Sequence, residues 1–283
     1  MPELSILLIG DHGRDEFRDA VDELLRVGQV QHAASVNEAI QLIAAGEILP
    51  DVIVLAQAFA DEFSVEAVER LRSRAPLARV VGLLGSWCEG EMRTGHPWPA
   101  TLRVYWHQWQ QRASPQLAAL AAGNRGAWSL PTTATEEERL LADDARPLPR
   151  GSGLVAVATP ERAVADWLLD VLERQGYAGL WWTPYRRVRA KGIAAGLLDM
   201  ADTGPSDMEQ LTEFTRAAAP APVIAMMHFP RIHEVEATRR AGAASVLSKP
   251  YSLDGLFQQL ADLIRGNRSR LDRGPSPSIP PAP

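Results

Sequence analysis

Short runs of apolar residues alternate along the chain with longer segments in which apolar residues recur at helical spacing. Runs of this length, closed by glycine, proline or aspartate, are typical of buried strands in a parallel sheet. In the first half, the predicted strands are 4–9, 30–34, 51–55, 79–84 and 101–106. In the second half, they are 154–158, 179–183, 193–198, 222–227 and 244–247.

The segments between these runs have the apolar stripe of amphipathic helices. The predicted helices are 17–27, 38–45 and 64–74 in the first half, and 160–175, 206–218, 233–240 and 253–265 in the second. Strands that alternate with helices through short connections favour a parallel sheet covered on both faces. The pattern therefore predicts an α/β protein made of two tandem doubly wound (βα)5 domains.

The domain boundaries follow from changes in composition. We expect a first domain at 1–123 and a second at 153–266. The segment 124–152 has glycine, proline and an acidic run but no strand pattern, and it predicts a linker with one short helix at 135–142. The segment 267–283 ends in PSPSIPPAP and predicts a disordered tail.

Composition excludes several classes of protein. The chain has 283 residues, a formal net charge of −6 and a single cysteine, Cys88, so an intrachain disulfide framework is excluded. The acidic balance disfavours nucleic acid as a partner. The N-terminus lacks the features of a signal peptide, and no apolar run approaches the ~20 residues of a membrane span, so we expect a cytoplasmic protein without a membrane partner.

The second half resembles the receiver domain of bacterial response regulators over about residues 152–266. The run AGAASVLSKPY at 241–251 carries the resemblance, because in that family an Ala-Gly-Ala turn leads into a fifth strand ending in Lys and Pro, here Lys249 and Pro250. Asp199, at the end of the third strand, matches the aspartate that accepts a phosphoryl group. The resemblance implies a flavodoxin-like, CheY-like fold in which Lys249 pairs with the phosphoryl group on Asp199.

Two positions depart from the pattern of that family. An acidic pair after the first strand holds Mg²⁺ in receivers, whereas the loop here reads Val157-Ala158-Thr159-Pro160 and has no carboxylate until Glu161. Met227 replaces the Ser or Thr at the end of the fourth strand. We therefore expect Asp199 and Lys249 to form a partly exposed ion pair. In the alternative, Asp199 is still phosphorylated, and only then is Mg²⁺ bound, with Asp202 or a partner's carboxylate as a ligand.

The first half looks like a more degenerate copy of the same domain, at about 4–122. Asp11 retains one acidic residue after the first strand. Ala56 stands where the phosphoacceptor belongs, and alanine has no oxygen that could accept a phosphoryl group. After the presumed fifth strand, Trp106 and His107 are found in place of a lysine.

The segment 85–112 contains four of the eight tryptophans, the single cysteine and two histidines, where a plain receiver would place its fourth helix. The rings could pack onto the sheet, or they could form a surface for a protein partner. They could also stack nucleic-acid bases with the help of Arg93, Arg103 and Arg112. A metal or haem site would use Cys88, His96 and His107, although the spacing fits no standard metal motif. A redox-active thiol would use Cys88 alone.

Among the functional interpretations, we favour a protein-interaction surface, because Trp and Arg are enriched at interface hot spots. The interaction candidates are Trp87, Trp98, Trp106, Trp109 and Tyr251. No motif of a common enzyme class occurs in the sequence.

These observations lead to one prediction and two alternatives. The chain is predicted to be a non-catalytic signalling adaptor in a phosphorelay-type pathway, with no cofactor, a protein partner and a possible homodimer. In the first alternative it is a receiver phosphorylated at Asp199. In the second it is a small-ligand or haem sensor built on segment 85–112.

Overall fold

The computed structural model describes residues 3–91, 95–96, 98–99, 101–124, 126–131, 134–135, 138–139, 141–142, 150–183 and 191–272, with side chains up to Ser269. The chain forms two compact units, Met1–Pro147 and Leu148–Pro283. No helix within these described residues is long and apolar enough to cross a membrane.

Unit 1 is built on a five-stranded sheet in which every pairing is parallel, with the order β2-β1-β3-β4-β5. Its strands are β1 Leu4–Ile9, β2 Gly28–Ala33, β3 Val52–Phe59, β4 Arg79–Trp87 and β5 Leu102–Tyr105. Its helices are α1 Arg18–Val27, α2 Val36–Ala44, α3 Val65–Arg74, α4 Trp109–Arg112 and α5 Ser114–Ala121. Short 3₁₀ turns lie at Asp15–Phe17, Trp106–Gln108 and Ala127–Ser129.

Unit 2 has the same topology, with the strand order β10-β9-β8-β6-β7 and parallel pairing throughout. Its strands are β6 Leu154–Ala158, β7 Ala178–Trp182, β8 Ile193–Asp199, β9 Val223–His228 and β10 Ser245–Lys249. Its helices are α6 Arg162–Arg174, α7 Pro205–Ala218, α8 Ile232–Arg240 and α9 Leu253–Asp272. The β4–β5 and β7–β8 connections contain residues outside the described part.

Each sheet has a hydrophobic core on both faces, as the run pattern predicts. In unit 1, one core joins the sheet to α1, α4 and α5, and the other joins it to α2 and α3. In unit 2, α6 and α9 cover one face, and α7 packs on the other. The α/β prediction with two parallel doubly wound sheets is therefore confirmed.

Two predicted boundaries differ from the structure. The 3₁₀ turn Ala127–Ser129 falls inside the predicted linker, yet Trp128 is buried in the core of unit 1, and its backbone N–H donates to Gln116 Oε1 of α5 at 3.3 Å. The disordered tail is predicted from residue 267, but α9 continues to Asp272. Gly266 lies within this helix and does not end it. Residues 273–283 of the predicted tail lie outside the described residues.

Candidate functional site

Asp199 and Lys249 lie together at the carboxyl edge of the sheet in unit 2. Asp199 is the last residue of β8, and Lys249 is the last residue of β10, with β9 between them. Carboxyl ends of parallel strands meet at one edge, which is where doubly wound folds place their ligand sites. The peptide bond after Lys249 is cis.

Both carboxylate oxygens of Asp199 have partners within the unit. The Lys249 ammonium forms an ion pair with Asp199 Oδ1, and it also lies 3.4 Å from the carbonyl oxygen of Met200. The Thr159 hydroxyl donates to Asp199 Oδ2 at 2.8 Å. The side chains of Lys249 and Asp199 are only 17% and 16% exposed. The expected pair is therefore present and is largely shielded from water.

Thr159 belongs to this site, although in the sequence it stands out only because no carboxylate occupies this loop. It follows β6 directly, and its oxygen accepts from the backbone N–H of Glu161 at 3.3 Å while its proton goes to Asp199. The indole N–H of Trp181 donates to the Thr159 carbonyl at 3.2 Å. Thr159 is buried, so its position is fixed. The sequence signal was its place immediately after the first strand of the unit.

Asp202, the candidate metal ligand of the alternative hypothesis, is engaged in a loop. Its Oδ1 accepts from the backbone N–H of Gly204 at 2.6 Å. Asp207 accepts from the backbone N–H groups of Ala201 and Asp202, at 2.8 and 3.1 Å. These carboxylates organise the turn into α7. Within the described part of the chain, no group of three His, Cys, Asp or Glu residues has an arrangement suited to a metal ion.

Two buried methionines lie near the end of β9, the fourth strand of unit 2 along the chain. Met227 is buried there, and the Thr238 hydroxyl lies 3.6 Å from its sulfur. Tyr251, an interaction candidate, is half-buried, and its hydroxyl lies 3.5 Å from the sulfur of Met226. Desolvation, aided by the charge of Asp199, raises the pKa of Tyr251 to about 12, so its phenol stays neutral.

Strand register identifies the corresponding positions in unit 1. Leu198 pairs with Ala158 at the end of β6, and Asp199 follows it; Leu55 pairs with Ile9 at the end of β1, and Ala56 follows it. Asp199 is level with Met226, which is level with Leu247, two residues before Lys249. Ala56 is level with Leu83, which is level with Val104, two residues before Trp106. Ala56 and Trp106 thus occupy the places of Asp199 and Lys249.

An indole and a buried carboxylate replace the ion pair in unit 1. Trp106 packs on the hydrophobic core that contains Ala56, and its N–H donates to the Ser86 hydroxyl at 2.9 Å. Ser86 donates from its backbone N–H and its hydroxyl to Glu16 Oε2, at 3.0 and 2.8 Å. Arg14 Nε completes the network, 3.3 Å from Glu16 Oε1. Sequence patterns do not reveal this network, because Glu16 and Ser86 lie 70 residues apart in the chain.

Two of the four tryptophans proposed for a partner are core residues, which corrects that assignment. Trp109 is fully buried and donates to Glu23 Oε2 at 2.9 Å, and the Ser114 hydroxyl donates to the same oxygen at 2.5 Å. Trp98 is buried and donates to the Phe63 carbonyl at 2.8 Å. Desolvation raises the pKa of Glu23, and its hydrogen bonds to Ser114 and Trp109 oppose that rise.

Trp87 is the tryptophan of this segment that faces solvent, with 67% of its surface exposed. It ends β4 and is level with Phe59, the end of β3, which is 48% exposed. The two rings stack with centroids 6.4 Å apart, and the Arg14 guanidinium lies 5.1 Å from the Phe59 ring centroid. Large exposed aromatics that adjoin one another are unusual on a monomer surface.

The other chemistry proposed for segment 85–112 does not fit the structure. Cys88 is fully buried, and desolvation raises its pKa to about 11, the opposite of a reactive thiol. The His107 side chain is buried beside Glu89, with Nε2 3.5 Å from a carboxylate oxygen, whereas His96 is exposed. Arg103 is paired with the buried Glu91 and is not offered to a base. Arg93 lies outside the described residues.

A scan against models of protein families finds no match to this sequence, and a search of curated proteins finds none either. Similar solved structures include NtrX from Brucella abortus, with 16% identity and a TM-score of 0.39 over 44% of this chain and 30% of that one. A response regulator from Thermotoga maritima has 18% identity and a TM-score of 0.36 over 41% and 99%. A response regulator receiver domain protein from Clostridium thermocellum has 20% identity and a TM-score of 0.36 over 42% and 97%. The chain thus spans under a third of NtrX, and these likenesses concern the fold alone.

Proposed function

We propose that this chain is a non-catalytic signalling adaptor of the cytoplasm that acts by protein–protein interaction in a phosphorelay-type pathway. The sequence resemblance to receivers and the doubly wound parallel topology of both units support a signalling role. The proposal assigns unit 1 as the partner-binding unit and unit 2 as a receiver-like unit that works without phosphotransfer.

The exposed pair of Phe59 and Trp87 carries the proposal. Burying two large aromatic rings against a partner would remove a large apolar area from water. Aromatic and Arg side chains dominate interface hot spots. Arg14 beside Phe59 adds a cation at the edge of the pair. The rings stand at adjacent strand ends, so the sheet holds them in place at little entropic cost on binding.

The surroundings of Asp199 support the second part of the proposal. Phosphoryl transfer to a carboxylate needs a divalent ion to neutralise the developing charge. Here the Lys249 ammonium supplies the neutralising charge at one oxygen, and the Thr159 hydroxyl donates a hydrogen bond to the other. A phosphoryl group on Asp199 would have to displace at least one of them. The nearby carboxylates of Asp202 and Asp207 are already committed to backbone N–H groups.

In unit 2, we propose that contacts are made by the face formed by α8, β10 and α9. Tyr251 borders this face after β10, and its neutral phenol can contribute apolar area there. A homodimer through the same face is part of the proposal, because β10 is the outermost strand of its sheet and pairs with β9.

Affinity capture with the full-length chain tests the interaction surface. The wild-type chain and the variant Phe59→Ala/Trp87→Ala are immobilised and exposed to lysate of the cells that express the protein. Loss of hot-spot residues costs about 2 kcal/mol or more, so we expect co-purifying proteins to fall by at least about tenfold. Trp167→Ala is the matched control, since this tryptophan is 46% exposed on α6.

Two outcomes of the capture would contradict the proposed surface. In the first, the double variant retains the same proteins in the same amounts. In the second, Trp167→Ala loses them to the same extent. Circular dichroism on each variant separates a lost surface from a lost fold.

Phosphorylation of Asp199 is the second candidate function. The observation in its favour is that Asp199 and Lys249 remain paired at the sheet edge and keep a small exposed fraction. Under this candidate, a small phosphodonor with Mg²⁺ adds one phosphoryl group, and Asp199→Asn prevents the addition.

A further inference from the structure

A register shift in the sheet of unit 1 brings Phe59 and Trp87 to the same level. Gln57 of β3 is level with Leu84 of β4. Two residues further along β3, Phe59 is level with Trp87, which lies three residues further along β4. Gly85 begins the longer stretch, and a Cβ there would lie 2.7 Å from a buried carboxylate oxygen and 3.0 Å from the backbone of β3. An extra residue of this kind re-aims the side chains of its strand, and here it sets two exposed rings side by side.

Two carboxylates lie in the loop that follows Phe59. Glu62 is exposed, and its Oε2 accepts from the backbone N–H groups of Ala58 and Phe59 at 2.8 and 3.4 Å, which places this charge beside the Phe59 backbone. Asp61 is exposed and has φ +60°, a conformation that Asp and Asn adopt more readily than most other residues. Within the described part of the chain, Asp61 makes no hydrogen bond or ion pair, so its charge is open to a partner.

The cation beside the rings is countered within unit 1. The Arg14 guanidinium lies 5.1 Å from the Phe59 ring centroid, and its Nε is 3.3 Å from Oε1 of the buried Glu16. On the other side of the ring pair, Glu89 follows Trp87 by two residues and is half-buried. The described charges around the rings are therefore mainly negative, and they favour a positively charged partner.

On the basis of the proposed function, which makes these rings the contact, we infer that the Phe59–Trp87 pair binds a basic segment of a protein partner. Apolar side chains of that segment pack on the rings, and its Arg or Lys side chains pair with Asp61 and Glu62. The rings supply affinity, and the carboxylates select the sign of the charge. The contact between Arg14 and Phe59 shows that a guanidinium fits against this pair. The same carboxylates repel nucleic-acid phosphates.

Fluorescence anisotropy of three labelled peptides with the full-length chain tests the class of partner. The short synthetic peptides repeat Gly-Arg-Leu, Gly-Glu-Leu or Gly-Arg-Ser, so they separate the effect of charge from that of apolar contact. We expect saturable binding of the Arg–Leu peptide, and binding at least about tenfold weaker for each of the other two. Because salt screens exposed charges, affinity for the Arg–Leu peptide should fall between about 50 and 500 mM NaCl.

Two double variants separate the rings from the carboxylates. Phe59→Ala/Trp87→Ala should weaken binding of the Arg–Leu peptide at least about tenfold, as loss of hot-spot residues does. Asp61→Asn/Glu62→Gln should weaken it about threefold at low salt, since an exposed ion pair contributes a factor of about 1.5–5 in affinity. The same variant should show a flatter salt dependence. Asn tolerates the positive φ at 61, and Gln keeps an oxygen for the backbone N–H groups, so the loop is preserved.

The matched control is Glu209→Gln/Glu213→Gln, which removes two exposed carboxylates of α7 in unit 2 and should bind the Arg–Leu peptide as the wild type does. Circular dichroism confirms that each variant is folded. A basic partner is ruled out if the Arg–Leu peptide does not saturate, if the Glu–Leu peptide binds equally well, or if Asp61→Asn/Glu62→Gln behaves as the control does. It is also ruled out if ultracentrifugation shows a concentration-dependent dimer that Phe59→Ala/Trp87→Ala abolishes, because a second copy of the chain then covers the rings.

The capture experiment distinguishes this failure from failure of the proposed surface. If Phe59→Ala/Trp87→Ala loses its co-purifying proteins and the Arg–Leu peptide does not bind the wild type, the surface stands and only the basic partner is overturned. If the same variant keeps its co-purifying proteins, the surface itself is overturned, and the basic partner with it.

Discussion

Thr159 shows how a single residue changes the chemistry available to Asp199. A carboxylate at this place would add negative charge beside Asp199 and attract a divalent cation. A threonine hydroxyl instead donates a hydrogen bond to Oδ2 and leaves Lys249 as the neutralising charge. Asp199 is therefore held by an ion pair with Lys249 and a hydrogen bond from Thr159, and among the described residues the site has no second carboxylate to bind a metal ion.

The contributions of Asp199 and Lys249 to the free energy of unfolding of unit 2 should depend strongly on each other. Because both side chains are mostly buried, Asp199→Asn and Lys249→Met should each destabilise unit 2 by about 1–3 kcal/mol by leaving a partner group unpaired. The double variant should be less destabilised than the sum of the two, with a coupling of about 0.5–3 kcal/mol. Urea unfolding of the full chain and its variants measures this.

The control for the double-mutant cycle is Asp166→Asn on α6. Asp166 pairs with Arg162 in the open, with side chains 61% and 79% exposed, and an exposed pair of this kind contributes about 0–1 kcal/mol. If the changes in the free energy of unfolding caused by Asp199→Asn and Lys249→Met simply add in the double variant, the two residues do not form a stabilising ion pair.

Residue-level prediction from the sequence succeeded where a residue is fixed by its place in a strand. Asp199 and Lys249 each end a strand, so their meeting at one edge follows from parallel pairing. Thr159 and Trp181 could not be assigned, because their hydrogen bonds depend on three-dimensional packing. The same applies to Glu16 and Glu23, whose partners lie 70 and 86 residues away in the chain.

At the scale of elements, the tryptophan-rich segment serves mainly to close the core of unit 1. Trp109 begins α4 and is held by Glu23 of α1, so the helix after β5 is fastened to the helix after β1. Composition alone cannot distinguish this role from a binding surface, since tryptophan is common in both. Trp87 ends a strand and is exposed, whereas Trp109 begins a helix and is buried in the core.

The stability of unit 1 should depend on pH through the titration of Glu23. Its pKa is raised in the folded state, so the folded chain holds the proton after the unfolded chain has released it. This contribution to stability is present at low pH and is lost as pH rises from about 4.5 through the raised pKa. Glu23→Gln should remove that loss, and unfolding by urea between pH 4.5 and 8 measures the difference from the wild type.

Glu23→Ala should behave differently from Glu23→Gln. The alanine leaves the buried Trp109 N–H without its acceptor, at a cost of about 1–3 kcal/mol at all pH values. Glu69→Gln on the exposed face of α3 is the matched control and should leave the profile unchanged. A Glu23→Gln profile parallel to that of the wild type would show that Glu23 does not titrate in this range.

At the scale of the whole molecule, the hydrophobic pattern was sufficient to predict two parallel doubly wound units. All ten predicted strands are present; the central ones are short apolar runs buried on both faces, whereas the edge strands β2 and β7 are only partly buried. The ends of the units were harder to predict. Trp128 lies in a glycine- and proline-rich segment, and its burial in the core and its hydrogen bonds to Arg79 and Gln116 assign it to unit 1.

The central claim is that this chain keeps the receiver-like topology without phosphotransfer, and intact mass spectrometry tests it most directly. Full-length wild type and Asp199→Asn are incubated with Mg²⁺ and a small phosphodonor such as acetyl phosphate, then weighed intact. The account predicts no added phosphoryl group in either chain. A gain of one phosphoryl group, about 80 Da, in the wild type that is absent from Asp199→Asn would contradict it.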